Sequence, residues 1–219
     1  MKSQAQKDQD SGWWLSWYQD PPQDTRGVIL FAAFREVHLN GFQAASIQNI
    51  IDAAGVTKGA LYHYFASKHE IGYALLDEIF SKYIETTFIA PLLETDDPIS
   101  VLIENLTESG AQMSEEDVAL GCPLDHFSQE MAPIDSEFQQ RIDALYQRKM
   151  GALVSALKRG QIAGNVKNDI TAESIAIMIN ATLHGCMGMA KSTRSLETLM
   201  QCGAGLIHYL EQLRPDNSQ

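Results

Sequence analysis

Thr57, Lys58, Tyr62 and His63 fall within one short stretch of the chain. A hydroxyl, an ammonium, a phenol and an imidazole can all hydrogen-bond phosphate oxygens or base edges. Gly59, among them, removes a side chain where a helix would lie closest to a polyanion. The candidate set for contacts with double-stranded DNA extends to Ser46, Gln48, Tyr64, Lys68 and Arg26. Gln48 is a secondary candidate for a base, Arg26 for a phosphate. Lys68 stands beside a run of helix N-terminal amides, a natural phosphate site.

Two short helices must position these groups. Ile47, Ile50, Ile51 and Ala54 recur at i, i+3, i+4 and i+7, the apolar stripe of one helix. Ser46 is its N-cap candidate. Gly55 ends it, because a sharp turn wants a positive φ that glycine adopts without a Cβ clash. Val56 plugs the gap between the helices, and Thr57 caps a second helix running to Tyr64. On that helix Ala60, Leu61 and Tyr64 have inward spacing, while Lys58, Gly59, Tyr62 and His63 face out. Ser67 and Glu70 form a capping box that opens a third helix. Helix, glycine turn and helix is the pattern of a helix-turn-helix, whose second helix enters the major groove.

The stretch AAGVTKGALYHYFASKHEI, with GFQAASIQNI before it, resembles the DNA-binding signature of the tetracycline-repressor (TetR) family of bacterial regulators. The resemblance runs from about Thr25 to Leu76. It implies an all-helical homodimer, a C-terminal domain that binds a small-molecule effector, and repression of a palindromic operator relieved by that effector. It also implies that the helix after Ser67 transmits the ligand signal.

Charge is unevenly spread. The whole chain carries 16 basic and 28 acidic residues, net −12. Acidity of that size argues against nucleic acid when taken alone. Residues 25–69, however, hold Arg26, Arg35, Lys58 and Lys68 against Glu36 and Asp52, net +2. A mildly basic head on an acidic body is expected. Residues 1–24 are read as a poorly ordered leader, residues 25–70 as the DNA-binding domain, and residues 71–219 as the ligand-binding and dimerisation domain. Trp13, Trp14 and Trp17 all lie in the leader, where they could also form an aromatic docking patch. Three cysteines without framework spacing suit a reducing cytoplasm better than a disulfide scaffold. No stretch reaches the ~18 apolar residues of a membrane span, so no membrane partner is expected.

The first helix, Thr25 to Asn40, carries Leu30, Ala33, Phe34 and Val37 on one stripe and stops at Gly41. The helix from Ser67 runs to Ile89, with Pro91 ending it. Beyond Pro98 the pattern is helical throughout. Ser114 to Asp117 reads as a polar turn, a short helix follows from Cys122 to Met131, and a long one runs from Asp135 through Leu157. Two more start near Thr171 and Ser195 and complete an all-α chain. The last two are rich in small residues. Glycine costs ~1 kcal/mol per helix position, which a close helix–helix contact offsets. Ala181, Gly185, Gly188, Gly203, Gly205 and Leu206 are therefore candidates for a subunit interface, with ordinary intrachain packing the alternative.

Other reactive residues carry less. Cys122 and His126 at i, i+4 share a helix face, and a thiol at a helix N-terminus is activated, so Cys122 is a candidate redox sensor. No orienting third group or phosphate loop accompanies them, and no catalytic residue is assigned. His184 and Cys186 do not share a face, so no metal site is expected, nor any cofactor. Met113, His126, Phe127, Met131, Tyr146, Met178, Asn180, His184 and Met187 mix flexible apolar groups with a few polar ones, as pockets between helices do. They are the candidate effector contacts. The rival reading is a helical small-molecule or redox sensor, working through Cys122, that does not bind DNA.

Overall fold

The computed structural model describes residues 22–215, and every regular element among them is helical. The Trp-rich segment lies outside the described residues. The elements in chain order are α1 (Thr25–Asn40), α2 (Ile47–Ala54), α3 (Lys58–Tyr64) and α4 (Lys68–Ala74). Helical backbone continues from α4 through π-helical turns at Leu75–Phe80, α5 (Ser81–Ile84), a second π-helical stretch at Glu85–Ile89 and a 3₁₀ turn at Ala90–Leu92. Then come α6 (Pro98–Gln112), α7 (Glu115–Leu120), α8 (Pro123–Met131), α9 (Ser136–Ala163), α10 (Ala172–Thr193) and α11 (Leu196–Gln212).

Side-chain caps set most of the starts. Asp24, Ser46, Thr57, Ser67, Asp97, Thr171 and Ser195 each accept a backbone N–H from the first turn of the helix they precede. Three expectations are corrected. Ser114 to Asp117 is the start of α7, not a turn: Ser114 and Asp117 cap each other's backbone amides reciprocally. α9 passes Leu157 and Gly160 to reach Ala163. Gly160 is a packing glycine there, because a Cβ would come within 2.7 Å of Val166 and 2.8 Å of Pro98. The uninterrupted α-helix expected from Ser67 to Ile89 is twice widened into π-helical turns, a form usually confined to single turns inside longer helices.

The chain divides into two compact units. One contains residues 22–83 and Cys122–Tyr146, so it joins the helix-turn-helix to α8 and the start of α9. Its core is aromatic. Phe42 lies 5.1 Å from both Phe127 and Phe138 by ring centroids, and the tilted ring of Tyr73 lies 4.6 Å from Phe138. Buried Gly72 seats this cluster, since a Cβ there would meet Phe138 and Phe42 at 2.7 Å. The other unit contains Ile84–Gly121 and residues 147–215. Ile99, Leu153, Leu157, Ile175, Ile179, Leu206 and Leu210 form its core.

The cysteine expectation is also corrected. Cys186 and Cys202 form a disulfide joining α10 to α11, with Cα atoms 5.7 Å apart. The two helices make a hairpin closed by Arg194 in the left-handed region (φ 51°), which brings residues equidistant from the turn face to face. The spacing that matters is measured from that turn, not between neighbouring cysteines.

Candidate nucleic-acid interface

α2 and α3 are built as their residue types dictate. Gly55 adopts φ 66°, and its N–H and that of Val56 close the end of α2 on Asp52 and Ile51 carbonyls. Ile50 and Ile51 are buried beneath α2. α3 is anchored by Leu61 and Phe65, both buried. This corrects the inward placement of Tyr64: the anchor one turn after Leu61 is Phe65, and Tyr64 is 42% exposed. Thr57, Lys58, Gly59, Tyr62, His63 and Tyr64 together make one exposed polar and aromatic surface. Thr57 Oγ accepts the Ala60 N–H at 3.1 Å, which leaves its hydroxyl proton to donate. The Lys58 ammonium stands 5.9 Å from the Tyr62 ring, and His63 meets Tyr64 edge-on at 5.1 Å.

The flanking candidates are more committed. Ser46 Oγ accepts the Asn49 N–H, while its own N–H donates to Glu36. Gln48 donates to Asp52 at 2.8 Å. Arg26, expected at a phosphate, instead forms a two-point pair with Glu78 at 2.6 and 2.5 Å and lies over the Phe65 ring. The hydrogen bond to Glu78 holds its pKa above the ordinary guanidinium value. Lys68, also expected at a phosphate, donates to the carbonyls of Gln43 at 2.9 Å and Ala45 at 2.6 Å and lies over Phe42. Burial lowers its pKa against the opposing pull of Glu130 and Glu36. It braces the α1–α2 loop.

The loop has two further braces that no sequence motif marks. Glu130 on α8 accepts the backbone N–H groups of Phe42 and Gln43, both at 2.7 Å. Glu36 accepts from Ser46 N–H and Asn49 Nδ2. Neither belongs to a local motif, and the Glu130 contact spans 88 residues. A loop with several unpaired amides was the only available signal.

The candidate effector residues fall in different units. Phe127 and Met131 are buried within the first unit, beside half-buried His126 and Tyr146. Tyr146 donates to Asp125 at 3.1 Å. Cys122, half-buried at the N-cap of α8, also belongs there, and with burial as the main cause it helps raise the pKa of Tyr83. Met113, Asn180, His184 and Met187 are half-buried in the second unit. Asn180 contacts Met150 Sδ at 2.8 Å. Met178 is 52% exposed and stands apart from that group.

On α10 and α11 the candidate interface residues separate. Ala181, Gly185, Gly188 and Gly205 are exposed, and Gly203 is half-buried. A Cβ added at any of the four glycines meets nothing among the described residues within 4 Å. Ile177 and Met189 on α10 are 61% and 59% exposed. Leu206 is corrected: it is buried in the chain's own core with Leu210.

A capped helix, a left-handed glycine turn and a second capped helix with an exposed polar face define a helix-turn-helix DNA-binding protein. Residues 29–75 match the family described as bacterial regulatory proteins, tetR family, and residues 98–204 match the LmrA/YxaF-like transcriptional regulator C-terminal domain. The chain is 27% identical over 180 residues to an HTH-type transcriptional regulator in the lacX 3′ region of Lactococcus lactis, covering 81% of this chain and 88% of that one. It is 26% identical to the HTH-type transcriptional repressor DhaR of a Mycobacterium species, covering 74% and 79% of the two chains. The reduced form of Escherichia coli NemR superposes with a TM-score of 0.75 at 22% identity, over 88% of this chain and 99% of that one. The chain belongs to the TetR family and is a transcriptional regulator, not an enzyme. Among the described residues no helix is long and apolar enough to cross a membrane.

Proposed function

We propose that the protein is a homodimeric repressor that binds a palindromic operator through α3 and is released by a small-molecule effector. The exposed surface of Thr57, Lys58, Gly59, Tyr62, His63 and Tyr64 on a helix with caps at both ends carries this reading. It offers donors, acceptors and a close-approach glycine with no competing role in the chain's core. Ser46 and Gln48 flank it from α2. Arg26 and Lys68 contribute by holding the head in shape, their charges being spent inside the chain. The repressor sense draws on the name of the Mycobacterium relative.

Four glycines facing open space support the homodimer. No close contact among the described residues offsets their helix-propensity cost, and a two-fold partner packing on the same face would offset it. The effector need only bind the DNA-free state better than the DNA-bound state. Asn180, His184 and Met187, at i, i+4 and i+7 on α10, are the proposed contacts.

Selection of duplexes from random-sequence DNA by the purified chain, followed by salt-dependent gel shift, tests the proposal. Enrichment of an inverted repeat whose affinity falls steeply with salt is expected. A chain that retains helical structure yet enriches no duplex overturns it, in favour of a sensor that does not bind DNA.

A further inference from the structure

We propose that Glu130 is a positioning residue for DNA reading: from α8, its carboxylate sets the α1–α2 loop and thereby the pose of α2 and α3. The inference rests on the DNA-reading proposal above and adds a part of the chain far from the helix-turn-helix in sequence.

The carboxylate grips the loop with both oxygens. One accepts the Phe42 N–H and the other the Gln43 N–H, each at 2.7 Å. Bonds from amides to an ionised acceptor are the stronger kind. The opposite polarity holds the same loop from α4, where Lys68 donates to Gln43 and Ala45 carbonyls. Gln43 is thus fixed at both its amide and its carbonyl. Glu36 accepts a further amide of the same stretch, that of Ser46. Three ionised side chains from α1, α4 and α8 therefore tie down the backbone leading into α2.

Local helix stability does not explain the arrangement. The loop begins at the C-terminal end of α1, where the helix dipole disfavours an anion. The gain comes from the two loop amides themselves. Nothing intervenes between carboxylate and backbone: Gly41 has φ 81°, and a Cβ there would come 3.1 Å from Glu130 Oε2. The grip is reinforced by side chains, because Phe42 packs on Phe127 of the same helix α8. A displacement of α8 must therefore drag or release the residues that orient α2, and α3 follows across the Gly55 turn.

The test compares the full-length wild type with Glu130→Ala, Glu130→Gln and Lys58→Ala. Amide hydrogen exchange at Phe42 and Gln43 is measured with affinity for a duplex selected by the wild type, at a temperature where circular dichroism shows every variant folded. Glu130→Ala is expected to speed exchange at both amides and weaken the duplex by ~10-fold or more, with an unchanged salt slope. Glu130→Gln, which keeps one carbonyl acceptor, should fall between, and decides the matter should the alanine variant not fold. Lys58→Ala should weaken the duplex while leaving both amides protected. Unchanged exchange in the Glu130 variants overturns the grip. Faster exchange with unchanged affinity overturns the positioning role. A wild type that selects no duplex overturns DNA reading and this inference with it, whereas equal binding by wild type and Glu130 variants overturns the inference alone.

Discussion

Lys58 and Tyr62 occupy the exposed side of α3, away from the chain's core. Both are exposed while Leu61 between them is buried. Lys58→Ala is expected to weaken every duplex alike and to lower the salt slope by about 0.9 if the ammonium meets a phosphate. If it reads guanine, discrimination at one position should fall by ~1–3 kcal/mol instead. Tyr62→Phe should weaken binding with no change in thermal unfolding. Gel-shift titrations across salt concentrations check all three, and unchanged affinity in both variants removes α3 as the reading helix. Gly72 gives the contrasting case of a residue with a purely structural duty. A methyl there would press on two buried rings at 2.7 Å. Gly72→Ala should cost ~1–3 kcal/mol, seen as a lower unfolding midpoint.

Among the elements, the α10–α11 hairpin is the one held by a covalent link. The Cys186–Cys202 bridge closes a loop with a sequence separation of 16. A loop of about that length loses enough unfolded-state entropy to stabilise the fold by roughly 3 kcal/mol. Cys202→Ser, or reductant, should therefore lower the thermal midpoint by roughly 6–12 °C in a chain of this size. Alkylation of the unreduced, denatured protein should label Cys122 alone. Equal midpoints with and without reductant would count against the bridge as a stabilising element.

For the molecule as a whole, the prediction is assembly. A Cβ at Gly185 or Gly205 meets nothing among the described residues within 4 Å, so leucine at either position is expected to leave the isolated fold little changed. The same substitution should push away a partner packed on that face and weaken dimerisation by ~1–3 kcal/mol or more. Each monomer would then hold one half-site, and operator affinity should collapse. Sedimentation of wild type and Gly185→Leu over a range of concentrations reads this directly. A wild type that is monomeric at micromolar concentration refutes the interface.

Local signals determined much of this protein. The stripe of α2, the Ser46, Thr57 and Ser67 caps and the Gly55 turn act over three to five residues, so the helix-turn-helix and the all-α class were legible from the chain alone. What failed needed contacts between distant segments. The anchor one turn after Leu61 is Phe65 and not Tyr64, because α3 ends at Tyr64 and the extended backbone of its C-cap Phe65 turns that ring under. For Arg26 and Lys68 spacing reveals charge but not partners, and the fold pairs them within the chain with Glu78 and with the Gln43 and Ala45 carbonyls. Leu206 resembles its small neighbours in position, yet only packing shows that it points the other way. The disulfide depends on a turn whose location sets which cysteines oppose each other. The membership of α8 in the DNA-reading unit is a tertiary decision of the same kind: one carboxylate finds two amides 88 and 87 residues away, where no periodicity reaches.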